Sequence, residues 1–497
     1  MRKALIDEFN KIFIVDLHGN SKKREISPTG DKDENVFDIQ QGVSIGLFLK
    51  QQGDGNGTIA EVSHMDLWGI RNYKYHYLES EDISSTAWNK IVPKQPFYLF
   101  AHQDTAIFPE YEKGLSLRNI FPINSMGIKT NRDHLLISFE RDEVENRFSI
   151  IADPSYTDDD VRNRFDIEDG PYWNTMRERE KLRQVNWQNN ITQILYRPFD
   201  VRWLLYQQNL IEISRGGAAT KVMKHMLSGP NIAIGTTRGV EIGRGWEHIF
   251  CTSYPIQLHT VSIKESNTLF PLYLYPDNEI KISLFDLDEP SEAPGGRRPN
   301  FAPEFIADFS QKLGLSFISD GKGDRQQTFG PEDVFDYMYA VFHAPTYRSR
   351  YAEFLKIDFP RLPLTSNLDL FRALCALGDT LVGLHLMEGQ IPLITRFPVA
   401  GSNLVEQVRY SEPAKAEPGR VWINKTQYVE GVTPEVWAFH VGGYQVCEKW
   451  LKDRKGRLLS FDDLSHYQRV VATLAETLRV MGEIDGVIEA GGGWPIE

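Results

Sequence analysis

The sequence contains only three cysteines, Cys251, Cys375 and Cys447, and they lie far apart. An odd number at this spacing favours neither a disulfide framework nor a zinc cluster. No apolar run approaches the roughly 20 residues that a membrane-spanning helix needs. The N-terminus is charged throughout and has no signal-peptide core. We therefore expect a cytoplasmic protein without a membrane partner.

Several catalytic motifs are also missing. The sequence has no phosphate-cradling loop of the kind found in nucleotide-binding proteins and no GxGxxG after a predicted strand. It has no HExxH, GxSxG or paired CxxC motif. The 12 histidines are scattered along the chain, and His259 and His343 are interpreted as core or surface residues rather than ligands. The pattern predicts no catalytic and no metal-ligating residue, and it does not favour a self-contained enzyme.

The overall charge disfavours a nucleic-acid partner. The formal net charge is −13, whereas proteins that bind nucleic acid usually carry a basic surface that neutralises phosphates. An acidic total still permits a basic face on a chain of 497 residues. The hydrophobic content of 41% and charged content of 25% are typical of an ordinary globular protein.

The first part of the chain is predicted to be rich in strands. Residues 10–17 form a short apolar run, residues 35–49 form a pair of such runs broken at Gly42, and residues 58–67 alternate. These patterns predict buried core strands of an α/β sheet. The cluster Gly53–Gly57 between them is predicted to be a hairpin turn.

Further along, helical signals predominate at several places. Thr157 followed by three aspartates predicts a capped helix start rather than a metal site, and residues 174–185 predict a charged, solvated helix. Residues 331–356 predict two helices split at Ala344–Pro345. A last helix over 461–488 has a predicted capping box at Ser460 and Asp463. Residues 191–285 are predicted to be β-rich, residues 286–304 a linker, and the segments WINKTQYVEGV and VWAFHVGG a pair of strands.

The C-terminal stretch 442–468 combines Tyr, Trp and Cys with a dense group of lysines and arginines before the last helix. Together with five ordered segments it closely resembles the end of Type ISP restriction–modification enzymes. Those five segments are FPINSMGIKTNRD (121–133), YRPFDVRWLLY (196–206), FPLYLYP (270–276), residues 331–364 and GRVWINKTQYVEGVTPEVWAF (419–439). Five anchors in order are far more specific than one short motif.

The resemblance implies a mixed α/β fold in three parts. Residues 1–150 resemble the C-terminal part of an adenine-specific DNA methyltransferase domain with a spacer. Residues 151–290 and 300–497 are expected to form the two lobes of a target-recognition domain. The glycine-rich cofactor loop and the Asn-Pro-Pro-Tyr turn of such methyltransferases are absent. We therefore expect no cofactor in this chain, whereas S-adenosylmethionine, ATP and Mg²⁺ are expected for a full-length parent enzyme.

The same resemblance implies double-stranded DNA as a partner, together with a preceding portion that would carry the nuclease, motor and methyltransferase functions. Lys and Arg contacts to phosphate would set the register, and polar side chains would read base edges. The candidate contact residues are Lys129, Arg132, Arg215, Arg238, Arg244, Lys452, Arg454 and Lys455. For the cluster 452–457, a solvated helix end is an equal alternative. Phe48 corresponds to the aromatic residue that stacks on an extruded base in such methyltransferases, although a buried strand phenylalanine is an equal alternative.

Other interpretations stay open at this point. Arg197 and Arg202 alternate with aromatic residues, which is equally compatible with DNA contacts and with buried salt bridges. The chain could instead be a complete but divergent adenine DNA methyltransferase that uses S-adenosylmethionine. A protein-interaction scaffold without DNA function would agree with the acidic balance.

Overall fold

The computed structural model describes the chain except for residues 21–26, 28–30, 52–59, 95–97, 101–106, 171–172, 208–209, 212–217, 241–244, 277–292 and 415–416. The described residues form two compact units, which divide after Phe108. The predicted turn at Gly53–Gly57 and the first part of the predicted linker, residues 286–292, lie outside the described residues. The predicted domain boundaries at 150 and 290–300 stay predictions.

The first unit contains a mixed four-stranded sheet. Its elements are α1 (Arg2–Glu8), β1 (Lys11–Asp16), β2 (Ser44–Leu49), β3 (Glu61–Asp66), α2 (Arg71–Ser80) and β4 (Asn89–Ile91). The strand order is β2-β1-β3-β4, with β1 parallel to β3 and antiparallel to β2. Two small apolar clusters, one containing Ile12 and Val62 and the other Leu17 and Leu67, support the sheet.

Strand β2 differs from the prediction of buried core strands. It lies at the edge of the sheet, and all six of its residues are exposed. The first of the two predicted runs, residues 35–41, is not a strand. The side-chain amide of Asn35 donates to the carbonyls of Gly19 and Gln41, at 3.0 and 2.6 Å, and curls the segment. Competition of this kind between an Asn side chain and the strand ladder is common.

The second unit begins near Phe108 and contains many short elements. Its helices are α3 (Phe108–Lys113), α4 (Leu117–Ile120), α5 (Asp133–Leu136), α6 (Arg141–Ala152), α7 (Asp158–Phe165), α8 (Thr175–Arg183), α9 (Ala218–Met223), α10 (Pro303–Leu313), α11 (Pro331–His343), α12 (Pro345–Arg350), α13 (Ala352–Leu355), α14 (Leu368–His385), α15 (Pro434–Trp437), α16 (Val446–Lys452) and α17 (Phe461–Ala490). Its strands are β5 (Leu115–Ser116), β6 (Ser125–Met126), β7 (Ile137–Ser138), β8 (Ile191–Arg197), β9 (Asp200–Leu205), β10 (Ala233–Thr237), β11 (Ile249–Thr252), β12 (Asn267–Pro271), β13 (Tyr273–Leu274), β14 (Arg298–Pro299), β15 (Ser316–Phe317), β16 (Thr328–Phe329), β17 (Arg361–Leu362), β18 (Arg409–Ser411), β19 (Arg420–Trp422), β20 (Tyr428–Glu430), β21 (His440–Val441) and β22 (Tyr444–Gln445).

These elements confirm the mixed α/β class. Two sheets, of order β11-β10-β12-β6 and β7-β9-β8, contribute to an apolar core that also takes in residues of α16 and α17. The core runs from Ile128 to Met481 and draws on residues of both predicted lobes, such as Ile194 and Tyr467. Among the helices of the described residues, none combines the length and the apolar character that crossing a bilayer requires.

Helix α11 is buried along almost its whole length and is linked to its neighbours by a polar network. The Tyr339 hydroxyl lies 2.5 Å from His385 Nδ1 and accepts a hydrogen bond from the Cys251 backbone N–H at 3.1 Å. His385 Nε2 lies 3.1 Å from the Thr477 hydroxyl of α17. Burial lowers the pKa of His385 to about 3 and holds the pKa of His343 well below its usual range. Both imidazoles are therefore neutral core groups, as predicted for His343.

The helix signals in the sequence are largely confirmed. Capping boxes begin α7 at Thr157 and α17 at Ser460, and Pro345 separates α11 from α12. The predicted pairing between the segments WINKTQYVEGV and VWAFHVGG is not observed. Strand β20 of the first segment pairs with β19, which ends at Trp422, and strand β21 of the second segment pairs with β22. The second segment starts with α15 instead, because Thr433 caps a helix whose first residue is Pro434.

Helix α8 is only in part the solvated helix that its charges predict, because Arg177, Glu180, Lys181 and Arg183 are exposed whereas Glu178 and Arg179 are buried. Arg179 is 2% exposed, and its guanidinium donates to the carbonyls of Ile151, Asp153 and Tyr156 at 2.7, 2.9 and 2.6 Å. A planar group with five donors can satisfy several carbonyls at once. The guanidinium of Arg179 therefore links α8 to the C-terminal end of α6 through hydrogen bonds.

Candidate nucleic-acid interface

The site is built around the tight hairpin between β8 and β9. Phe199 occupies the turn with a left-handed backbone (φ 59°), and its ring is buried in the core. The turn pairs Arg197 with Asp200. Arg202 lies two positions after Asp200 on β9, and its side chain is therefore on the same face of the strand as that of Asp200. The carbonyl of Phe199 lies 2.8 Å from His466 Nε2 of α17, which joins the hairpin to the C-terminal helix.

Asp200 is the centre of a buried ion-pair network. Its side chain is 1% exposed and accepts hydrogen bonds from Arg202, at 2.7 and 3.0 Å, and from Arg454, at 2.9 Å. Burial opposes ionisation of Asp200, but the guanidiniums of Arg454 and Arg202 outweigh it and lower the pKa of the carboxyl. The network thus contains a buried carboxylate whose oxygens are satisfied by two arginines.

Phe139 packs at the centre of the arginine cluster. The guanidinium carbons of Arg202, Arg454 and Arg457 lie 4.2, 4.8 and 4.4 Å from its ring centroid. Arg454 also lies 3.4 Å from the centroid of the Trp450 ring. Aromatic faces attract cations most strongly where water is excluded. This packing, together with Asp200, explains how several guanidiniums can lie close together.

The turn between α16 and α17 projects from this network, and we call residues 452–457 the basic turn. Gly456 adopts a left-handed conformation (φ 81°), and its N–H donates to the Val405 carbonyl at 2.8 Å. Lys452 is exposed and pairs with Glu448 at 2.9 Å. Lys455 is exposed and makes no ion pair within the described part of the chain. The backbone of the basic turn is therefore held in place, and the side chains of Lys452 and Lys455 are exposed to solvent.

Arg454 does not suit the predicted phosphate contact. Its side chain is 8% exposed and is held by Asp200 and the Trp450 carbonyl. A guanidinium that satisfies a buried carboxylate is not available to an external anion. The alternative that the sequence left open for Arg202, a buried salt bridge, is observed with Asp200.

The loop that carries Lys129 and Arg132 is connected to the same network. Asp133 accepts a hydrogen bond from the Tyr196 hydroxyl at 2.9 Å, and the Tyr196 ring lies 3.9 Å from the Arg202 guanidinium. Lys129 is exposed, and Arg132 lies 4.7 Å from the centroid of the Trp173 ring. A continuous set of contacts therefore links this loop to the basic turn through β8 and β9.

Arg238 lies elsewhere in the second unit, in a cavity of about 730 Å³. Arg118 and Lys356 line the same cavity, and Glu265 gives it one acidic group. Arg238 is 69% exposed and lies 3.1 Å from Asp358. Arg215 and Arg244 lie outside the described residues.

Phe48 belongs to the first unit and is described there alone. It lies on the exposed edge strand β2, is 38% exposed, and has its ring 5.3 Å from that of Phe9. The alternative of a buried strand phenylalanine is therefore wrong for the described conformation, because β2 has no neighbour in the sheet beyond β1 among the described residues. The role in base stacking stays a prediction.

Sequence reasoning missed several residues of this site. The ring of Phe139 belongs to the arginine cluster, and two apolar side chains beside the basic turn, Leu458 and Phe461, are 66% and 82% exposed. An exposed phenylalanine at the first position of a capped helix is visible in the sequence, since Ser460 marks the cap. The position of Phe139, in contrast, depends on contacts between distant segments.

Comparison with known proteins identifies the class. Residues 119–483 match the model of the Type ISP C-terminal specificity domain. Since this match covers well over half of the chain, the chain belongs to that family and corresponds to the C-terminal part of a Type ISP restriction–modification enzyme. No curated protein matches the chain.

Three solved structures have a similar fold. The ATP-dependent Type ISP restriction–modification enzyme LlaBIII bound to DNA is 19% identical, with a TM-score of 0.67 over 97% of this chain and 31% of that one. A nuclease-deletion mutant of the Type ISP enzyme LlaGI with a DNA substrate mimic is 18% identical, with a TM-score of 0.62 over 97% of this chain and 44% of that one. The DrdV–DNA complex is 20% identical, with a TM-score of 0.66 over 97% of this chain and 48% of that one. The chain thus spans less than half of the length of each of these proteins.

Proposed function

We propose that the chain is the DNA target-recognition module of a Type ISP restriction–modification enzyme and binds double-stranded DNA with its second unit. The observation that carries the proposal is the buried Asp200 network, which fixes the basic turn while leaving Lys452 and Lys455 exposed. Membership of a specificity-domain family supports it. The three similar structures, in which LlaBIII and DrdV are bound to DNA and LlaGI is bound to a DNA substrate mimic, support it as well.

In this proposal the exposed lysines contact phosphates. Lys452, Lys455 and Lys129 carry the charge, and the linked contacts through Tyr196 and Asp200 hold them in a fixed geometry. Such contacts set the register of a protein on the duplex without reading its sequence. Arg454 acts inside the protein and positions the turn.

Base reading is proposed for the remaining candidates. These candidates are arginines, whose guanidiniums can donate two hydrogen bonds to the edge of a guanine: Arg132, Arg238, Arg215 and Arg244. One such bidentate contact favours the correct base over a wrong one by about 1–3 kcal/mol. Phe461, beside the basic turn, is 82% exposed and suits apolar contact with thymine methyl groups or a base step.

The activities of the whole enzyme are proposed to reside in a longer parent protein. That parent would methylate adenine in its target site and cleave unmodified DNA in the cytoplasm, with S-adenosylmethionine, ATP and Mg²⁺ as cofactors. The described residues that follow β1 do not form the loop that S-adenosylmethionine or ATP would need. Gly19, which follows β1, packs so closely on Asn35 that a Cβ would lie 2.4 Å from the Asn35 Cα, and the sequence has no phosphate-cradling loop.

The first unit is proposed to be the end of the methyltransferase domain. Its exposed edge strand β2 suits pairing with a further strand, because an unpaired apolar edge is otherwise prone to aggregation. Within that domain Phe48 is the proposed base-stacking residue. The proposed boundaries remain 1–150 for this part with its spacer, and 151–290 and 300–497 for the two lobes.

The proposal is tested by selecting randomised duplex DNA with the purified chain at roughly physiological salt and then measuring affinity against salt concentration. We expect enrichment of one short site. Lys455→Gln and Lys452→Gln should each weaken binding to all sequences. Each should also reduce the salt slope, which is the steepness of the fall in log binding constant with log salt concentration, by about 1. Phe461→Ala should weaken the selected site without changing that slope.

A matched control is Lys113→Gln, because Lys113 is also an exposed lysine in an ion pair, with Glu497 at 3.0 Å. It should leave the salt slope unchanged. Absence of DNA binding would favour the scaffold interpretation over the present one. Stoichiometric binding of S-adenosylmethionine would favour the divergent methyltransferase instead.

A further inference from the structure

A cluster of acidic and imidazole side chains lies at one end of the sheet in the first unit. Strands β1 and β3 are parallel, with Asp16 opposite Asp66 and Ile14 opposite His64. Side chains two positions apart in a strand point to the same face. Parallel pairing therefore brings Asp16, His64 and Asp66 together at the carboxyl ends of two neighbouring strands.

We propose that Asp16, His64 and Asp66 bind a divalent first-row transition-metal ion such as Zn²⁺. One potential ligand atom from each residue lies within 4.8 Å of the other two. Carboxylate oxygens and imidazole nitrogens are the oxygen and nitrogen ligands that Zn²⁺ accepts, at about 2.0–2.2 Å. A small contraction of the cluster would therefore close it around one ion.

The second observation is the state of His64. Its side chain is 2% exposed, and Nδ1 is buried without a hydrogen-bond partner; the closest carboxylate oxygen, on Asp66, is 3.7 Å away. A buried polar atom left unpaired destabilises the fold. A metal ion on this nitrogen would satisfy it.

His18 is not one of the proposed ligands, but it contacts the ligand Asp66. Its Nε2 lies 2.9 Å from Asp66 Oδ1, and its ring stacks on Trp68 at 3.4 Å between centroids, with the planes 11° apart. A second group that hydrogen-bonds to a ligand fixes the orientation of that ligand and tunes the metal. We therefore assign His18 a positioning role.

The two loops beside the cluster are held by another buried charge. Asp33 accepts hydrogen bonds from the backbone N–H groups of Gly19, at 2.6 Å, and Gly69, at 2.8 Å, and it pairs with Lys74 at 2.7 Å. Gly19 and Gly69 follow the two strands that bear the ligands. The loops that flank the site are thus held in place, so that only the ligand side chains need to move when an ion binds, which lowers the cost of binding.

The charge and exposure of the cluster also suit a cation. Asp16 and Asp66 bring two carboxyl groups together, and their side chains are 38% and 39% exposed. The exposed side gives an ion access and leaves room for water as a further ligand. The imidazole favours Zn²⁺ and its neighbours over Mg²⁺, which prefers oxygen ligands.

The test uses the full chain after removal of metals with a chelator. Titration calorimetry with Zn²⁺, and elemental analysis after gel filtration, should give one tightly bound ion per chain, whereas Mg²⁺ should bind at least ten-fold more weakly. Asp16→Asn and His64→Gln should each lower the Zn²⁺ affinity at least ten-fold. Zn²⁺ should raise the melting temperature of the unmodified chain and not that of Asp16→Asn.

Two further variants separate the roles. His18→Gln should weaken Zn²⁺ binding less than His64→Gln, since a positioning residue is lost and not a ligand. His76→Gln, an exposed histidine of α2 in the same unit, should bind Zn²⁺ like the unmodified chain. If no stoichiometric ion binds, or if Asp16→Asn binds as tightly as the unmodified chain, the cluster is a hydrogen-bonded set only. Asp16 is partly exposed, so its variant keeps the test valid if His64→Gln does not fold.

Discussion

Two polar clusters among the described residues, the Asp200 network of the second unit and the Asp66 cluster of the first, contrast in how their charges are satisfied. Around Asp200 in the second unit, the buried carboxylate is paired with the guanidiniums of Arg202 and Arg454. Around Asp66 in the first unit, two partly exposed carboxylates surround an imidazole nitrogen that is buried without a partner. A buried charge that is paired with another side chain stabilises the fold. A cluster in which a buried nitrogen has no hydrogen-bond partner is suited to binding an external ligand.

Loss of Asp200 should have the largest effect. Asp200→Ala leaves Arg454, which is 8% exposed, without its main counter-ion. Breaking a buried pair in this way costs about 3–5 kcal/mol. Denaturant unfolding of Asp200→Ala and of the unmodified chain should show this difference in the free energy of unfolding. Asp369→Asn, whose side chain is 92% exposed, is the control and should stay within about 0.5 kcal/mol. A cost below 1 kcal/mol for Asp200→Ala would remove the distinction between the clusters.

Acidification should have an intermediate effect through the buried histidines. The unfolded imidazole of His385 binds a proton below its ordinary pKa of 6.5, whereas the folded one stays neutral until about 3. Unfolding therefore takes up a proton in this window, and stability falls as the pH falls from about 6.5 towards 3. The loss at pH 5 is on the order of 2 kcal/mol for each such group.

The denaturation midpoint at pH 7 and at pH 5 measures this effect. His248, whose pKa burial lowers to about 4, should add to the loss. Replacing His385 by Gln should reduce the pH dependence although it lowers the stability at pH 7. An unchanged midpoint between the two pH values would contradict the neutral, buried state of these imidazoles.

Loss of Asp16 should have the smallest effect on stability. In the presence of a chelator, Asp16→Asn should change the free energy of unfolding by less than about 0.5 kcal/mol. The side chain is partly exposed, and the Asn oxygen can still accept the His18 backbone N–H that Asp16 binds at 3.0 Å. A loss as large as that of Asp200→Ala would show that both clusters serve the fold alone.

Much of the local structure could be predicted from the sequence. Thr157 and Ser460 mark helix starts because their side chains satisfy the free N–H groups of the first turn, and Pro345 interrupts a helix because it lacks an N–H donor. The buried position of Arg179 and the exposed edge position of β2 could not be predicted. Both depend on which distant segment packs against them, and helix and strand patterns carry no such information.

The candidate site divides in the same way. The basic character of residues 452–457 and the family of the chain follow from the order of residues alone. The separation of buried Arg454 from exposed Lys455 depends on Asp200, which lies 254 positions earlier in the chain. Sequence position could not distinguish these neighbouring cations.

The sequence by itself therefore determined the helix caps, the strand-forming runs, the family and the supply of charged groups, because these depend on neighbouring residues or on ordered motifs. Only the tertiary structure decided which charges are buried in pairs and which are open to a ligand. His18 and Asp66 lie 48 positions apart and meet only because β1 and β3 pair in parallel. The physical reason is that desolvation and pairing depend on three-dimensional neighbours, which a local pattern cannot specify.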